Sequence, residues 1–183
     1  MKTFLQLKHW HVFFLISGIP IVFLIIAKVI LITSDNQTTR MTLNYIPFIN
    51  IIFTTAFFGW LYIIATALHS KLPDSVKMNL TRYKIFFFLP LFSFLWFLCV
   101  EIASYGQLFP PGTVLIILPL YLFSISCLFY NLFFVSKTLK SVELQRQVTF
   151  RDYARDFFLL CLFPIGVWFI QSRINKMFAG KTA

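Results

Sequence analysis

The sequence predicts an all-α membrane protein, with four transmembrane helices followed by a C-terminal amphipathic and re-entrant helical segment. Three observations predict it. Residues 12–32 read VFFLISGIPIVFLIIAKVILI, apolar except for Lys28 and Ser17. At roughly 1.5 Å per residue this run is long enough for a hydrocarbon core of about 30 Å. Three similar runs follow, with only short polar stretches between them. The chain is also 59% hydrophobic and 12% charged, about half the charge of a soluble domain, so no separate soluble domain is expected among its 183 residues.

Composition narrows the partners. Sixteen Lys and Arg stand against six Asp and Glu, a formal net charge of +10. These cations flank apolar runs, so their expected partners are the lipid bilayer and its anionic headgroups rather than nucleic acid. The 25 Phe residues carry no functional reading, because a lipid-facing helix accepts Phe almost anywhere. Cys99, Cys127 and Cys161 lie inside apolar runs without a C-x-x-C, as buried small hydrophobes do. The first apolar run is too long for a signal-peptide core and lacks a small-x-small cleavage site, so it reads as an uncleaved span.

In chain order, residues 1–11 form a basic N-terminus with Trp10 at the expected bilayer interface. Span one is 12–32, with Gly18 and Pro20 placed to bend it. Residues 33–44 read as a polar loop; its Asn36-Gln37-Thr38 is a common pattern given no weight. Span two is 45–68. Thr55, Gly59 and Thr66, with Ala56 nearby, are small residues at spacings that let helix backbones approach, which marks span two as the packing centre. A charged loop, 69–84, leads to span three, 85–104. A loop with the turn signal Pro110-Pro111-Gly112 leads to span four, 113–135.

The rest, 136–183, reads as a tail. Thr149 followed by Asp152 is a capping box with Asp in place of Glu. Phe150, Tyr153, Ala154 and Phe157 then share one helical face, with Arg151, Asp152, Arg155 and Asp156 elsewhere around the helix. The apolar run 157–170 is about 21 Å long as a helix, short of a full crossing, and Pro164 and Gly166 interrupt it. Basic residues flank it on both sides. It therefore reads as a bent interfacial or re-entrant pair, with Arg151, Arg155, Pro164, Gly166, Trp168 and Arg173 as its interfacial residues. A fifth, thin span is the alternative.

Counting Lys and Arg orients the chain. There are two before span one, one in the first loop, four in the second, none in the third and five between span four and the last apolar run. By the positive-inside rule both termini are expected in the cytoplasm, and the membrane is expected to be a bacterial inner one.

Charges inside spans are costly and often functional. Lys28 and Glu101 lie near the outer ends of two spans that run in the same direction. They are the candidate intramembrane ion pair, against the plainer reading that each snorkels to the interface alone. Asn50 and Asn131 are candidates for hydrogen bonds between helices. His9, His11 and His69 read as interfacial, since positions two apart do not share a helix face.

No cofactor or metal is implied, and no catalytic motif is present. A first-span glutamate of the kind small multidrug transporters carry is missing. The ending DFFLLCLFPIGVWFIQSRIN resembles those of small bacterial membrane proteins and implies no activity. The expectation is a non-enzymatic polytopic protein acting through assembly, as a homo-oligomeric channel-like or membrane-disrupting effector or as a subunit of a membrane complex. The alternative is a small transporter or intramembrane enzyme using Lys28 and Glu101.

Overall fold

A computed structural model describes residues 9–33, 36–103, 111–163 and 165–179, and all regular structure among them is helical. The first apolar run is a composite. Helix α1 (His9–Phe13) passes through one π-helical turn (Phe14–Gly18) into α2 (Ile19–Thr33). The Ile19 amide donates to the Phe14 carbonyl, five residues back. Pro20 explains the wide turn: it has no amide to donate, and its ring crowds the carbonyl four residues before it. The apolar stretch left in α2 is Ile19–Ile30.

Three helices are long and apolar enough to cross a membrane. They are α3 (Asn36–His69), α4 (Leu80–Ala103) and α5 (Pro111–Leu144), with apolar spans Pro47–His69, Leu80–Val100 and Ile117–Leu144. They point to membrane association. The run 12–32, expected as a fourth such span, is not one of them, because the π turn divides it.

Two helices overrun their expected spans. Helix α3 begins at Asn36, so 36–44 is helix rather than loop. Gln37, Arg40, Met41 and Leu43 are all good helix formers. Helix α5 continues through the polar stretch 136–144. The Ser136 and Thr138 hydroxyls each donate to the carbonyl four residues back, at 2.7 Å, which satisfies them without leaving the helix. Lys140 and Glu143 pair one turn apart at 3.1 Å.

Helix starts follow their caps. Asn79 Oδ1 accepts the Arg82 amide at the head of α4 (3.0 Å). The expected capping box opens α6 (Phe150–Cys161): the Thr149 amide and hydroxyl both donate to Asp152 Oδ2, at 2.8 and 3.0 Å. Helix α7 (Ile165–Ala179) follows a turn at residues 162–163.

Helix α5 packs against α3, α4 and α6. It is antiparallel to α4, with Tyr83 stacked on Phe134 and Phe94 beside Tyr121. Tyr83 joins three helices, since its buried hydroxyl donates to the Leu61 carbonyl of α3 (3.3 Å). Asn131 Nδ2 donates to the Phe86 carbonyl of α4 (3.0 Å), one of the inter-helix bonds foreseen from the sequence.

The segment 157–170 is the arm and turn of an antiparallel hairpin, α6 and α7, with α6 antiparallel to α5. Phe163 at the turn packs on Phe53 and Phe57 of α3, and the far end of α7 meets Lys71 beyond the end of α3. Helix α7 thus runs alongside α3 in the same direction, and both open ends of the hairpin lie at one end of the molecule. Gly166 makes this turn possible: a Cβ there would stand 1.8 Å from the Leu159 carbonyl oxygen of α6. Pro164 lies outside the described residues.

The largest buried side chains gather toward that end: Trp60, Leu61, Ile64 and Leu68 of α3, Tyr83 of α4, Val135 and Leu139 of α5, and Ile170 and Ile174 of α7. Toward the other end the helices expose apolar side chains. On α2 every residue from Ile21 to Ile26 is exposed.

Candidate functional site

The buried charges define the most distinctive site, and one arginine holds it together. Helix α5 carries Glu143 on its last turn, helix α6 presents Asp156, and helix α7 supplies Arg173. The Arg173 guanidinium makes two parallel bonds to each carboxylate. Nε and Nη2 donate to the Glu143 oxygens at 2.7 and 2.5 Å. Nη1 and Nη2 donate to the two Asp156 oxygens, the second at 3.0 Å. Lys140 adds a second cation to Glu143.

Geometry explains the residue types. Only a planar guanidinium offers enough fixed donors to satisfy two carboxylates at once. The Asp156 side chain is 3% exposed and that of Arg173 30%, so the cluster reaches from the interior to the surface. Burial alone would make Arg173 easier to deprotonate. The hydrogen bonds to Asp156 and Glu143 outweigh burial and bind the proton more tightly than usual. Two carboxylates against two cations leave the cluster neutral, and every charge in it is engaged. Such an arrangement fixes three helices relative to one another; it offers no free acid or base.

A second polar chain ties α7 to α3. Trp60 is fully buried and its indole Nε1 donates to Gln171 Oε1 (2.9 Å). Gln171 Nε2 donates in turn to Asn175 Oδ1 (3.0 Å). Further along, Lys71 Nζ donates to the Met177 carbonyl (2.8 Å) and stands 3.4 Å over the Phe178 ring centre.

Of the residues singled out from sequence, Arg173 is the one at this site. Gly166 is the close contact of the hairpin. Trp168 is exposed and meets Phe13 edge-on, with ring centres 5.4 Å apart. Arg151 and Arg155 are exposed on α6. Lys28 is exposed on α2, while the Glu101 side chain lies outside the described residues, so their pairing stays an expectation. Span two does hold the most buried of the three long apolar stretches. Its inward face, however, is built by Phe58, Trp60, Leu61 and Ile64. Thr55 and Gly59 face outward, with open space beside Gly59. The Thr66 hydroxyl bonds back to the Tyr62 and Ile63 carbonyls. His69 Nε2 lies 3.0 Å from the Met78 carbonyl, and His11 stacks on Trp10. No cluster of three or more metal-ligating side chains occurs among the described residues.

Glu143, Asp156, Trp60 and Gln171 were not identified as site residues. On the amphipathic helix the expected inward set was Phe150, Tyr153, Ala154 and Phe157. The buried residues are Tyr153, Asp156 and Leu160, and Phe150 is exposed. The helix is rolled so that Asp156 reaches Arg173. One signal was available: three of the chain's six acids fall within 143–156, interleaved with Arg146, Arg151 and Arg155.

No known protein family, curated protein or solved structure matches this chain.

Proposed function

We propose that this chain is an integral protein of a bacterial inner membrane that acts through assembly with further copies of itself, rather than through catalysis. On this reading both termini are cytoplasmic and the run 9–33 completes a fourth crossing. The α6–α7 hairpin enters from the cytoplasmic side and returns to it, its open end marked by Arg151, Arg155, Arg173 and Lys176.

The membrane reading is supported by how unevenly the helices are covered, and the assembly reading is carried by a pair of small outward-facing residues on α3. One end is tightly packed. At the other, Ile21–Ile26 of α2, Phe92 and Trp96 of α4, and Leu118 and Leu120–Phe123 of α5 all face outward. Lipid tails are as apolar as these side chains, so this end of the molecule fits the hydrocarbon of the bilayer. Assembly is favoured by Thr55 and Gly59 of α3, small residues one turn apart on an outward face with open space beside Gly59, which lets a second backbone come close.

The test is the mass of the purified complex in mild detergent, by light scattering corrected for bound detergent. A discrete closed multiple of the chain mass is expected. Cys99 of α4, read from the sequence as buried but exposed in the structure, should then give a disulfide-linked dimer upon mild oxidation in native membranes. A monomer that forms no such dimer overturns the proposal.

A further inference from the structure

We infer that the outer surface of α5, between α4 and α6, seats one anionic phospholipid of the cytoplasmic leaflet. The inference rests on the membrane orientation proposed above and not on the oligomeric state. Helix α5 packs against both α4 and α6, while α4 and α6 form no packed interface with each other, and the outer face of α5 between them is a shallow groove in which Tyr130, Phe133 and Lys137 are half-buried and Ser126 is exposed. Aromatic contacts make its two walls. Phe86 of α4 meets Tyr130 with ring centres 4.8 Å apart, and Tyr153 of α6 meets Phe133 at 5.2 Å.

Helical spacing places charge at one mouth of the groove. Lys137 stands two turns from Tyr130 on the same face of α5, and Arg82 one turn from Phe86 on the same face of α4. Neither makes an ion pair with a carboxylate among the described residues; Glu143, Asp152 and Asp156 are engaged by Arg173, Lys140 and Arg146. The groove is therefore half-buried and aromatic along its length and cationic at the end that faces the headgroups. That pattern fits an acyl chain lying along Tyr130 and Phe133 with its phosphate held by Lys137 and Arg82.

The experiment measures lipid bound per chain by native mass spectrometry of the detergent-solubilised protein. It is titrated separately with dioleoyl phosphatidylglycerol and dioleoyl phosphatidylcholine. One phosphatidylglycerol per chain is expected, retained in preference to phosphatidylcholine. Changing both Lys137→Gln and Arg82→Gln should weaken phosphatidylglycerol roughly tenfold. Ser126→Trp, at an exposed position on the groove row one turn beyond Tyr130 and two turns beyond Phe133, should weaken both lipids by blocking the chain while leaving both cations in place. The pair Arg151→Gln and Arg155→Gln, on the exposed side of α6, should change little. Equal losses in the two double variants would mean diffuse attraction to a basic surface and overturn the site. So would retention that neither groove variant changes. A chain that stays in solution without detergent would instead overturn the membrane reading itself.

Discussion

Arg173 carries more of the architecture than any other charged residue, because two carboxylates on two other helices depend on it. Arg173→Gln leaves Glu143 with only Lys140 and leaves the nearly buried Asp156 with no cation. Removing one partner of a buried ion pair leaves an uncompensated charge, and here we expect a loss of about 3 kcal/mol, the low end of the usual range because the arginine is partly exposed. Thermal unfolding in detergent measures it, and Arg173→Lys should recover little, since an ammonium cannot fork to two carboxylates. A destabilised Asp156→Asn variant with an unaffected Arg173→Gln variant would show that the cluster does not hold the helices. Asp152 makes a weaker, pH-dependent contribution. Its hydrogen bonds from Thr149 hold its carboxyl below the ordinary aspartate value. A lowered folded value means that its contribution is complete above the unfolded value of about 3.9 and is lost as pH falls through the lower folded one. The melting difference between the wild type and Asp152→Asn should therefore be largest near neutral pH and shrink toward pH 3.

At the scale of elements, the hairpin decides what α7 is. The sequence makes the run 157–170 too short to cross and marks a break at Pro164 and Gly166, so a turn was legible there. The partner of α7 was not, because it is set by Trp60, Gln171 and Lys71, residues more than a hundred positions apart with no local pattern linking them. The same limit applies to the roll of α6. Periodicity selects the most apolar face, and it places Asp156 outside that face; the ion pair with Arg173 outweighs it. The composite first helix was half legible: Gly18 and Pro20 announce a bend, but not that it takes the form of a π turn. Gly166 gives the element its sharpest test. A methyl group there would meet the Leu159 carbonyl, so Gly166→Ala forces the two arms apart at a cost of about 1–3 kcal/mol. The accompanying sign should be faster amide exchange in α6 and α7 than in α4. Unchanged exchange would mean that the arms do not cross where Gly166 places them.

For the whole molecule, the hairpin and the overlong helices raise one question, which end of α7 lies on which side of the membrane. Lys71 bonds to the Met177 carbonyl, so the end of α7 and the loop between α3 and α4 lie together whatever the orientation. Lys77 and Lys176 are both exposed at that end. In a chain whose own three cysteines are replaced, single cysteines at Lys77 and Lys176 should react with a membrane-impermeant maleimide from the same side. Inside-out vesicles should label both and right-side-out cells neither. If α7 instead crossed as a fifth span, the two positions would label from opposite sides, the Lys71 contact could not form in the membrane, and the basic tail would face outward against the charge bias of the chain. Labelling on one side makes α6–α7 a re-entrant pair, with its polar backbone buried against α3 and α5 as irregular structure at membrane depth requires. It also places the Arg173 cluster at the edge of the hydrocarbon, where Arg173 and Lys140 together neutralise two carboxylates and let three helices meet without a net charge.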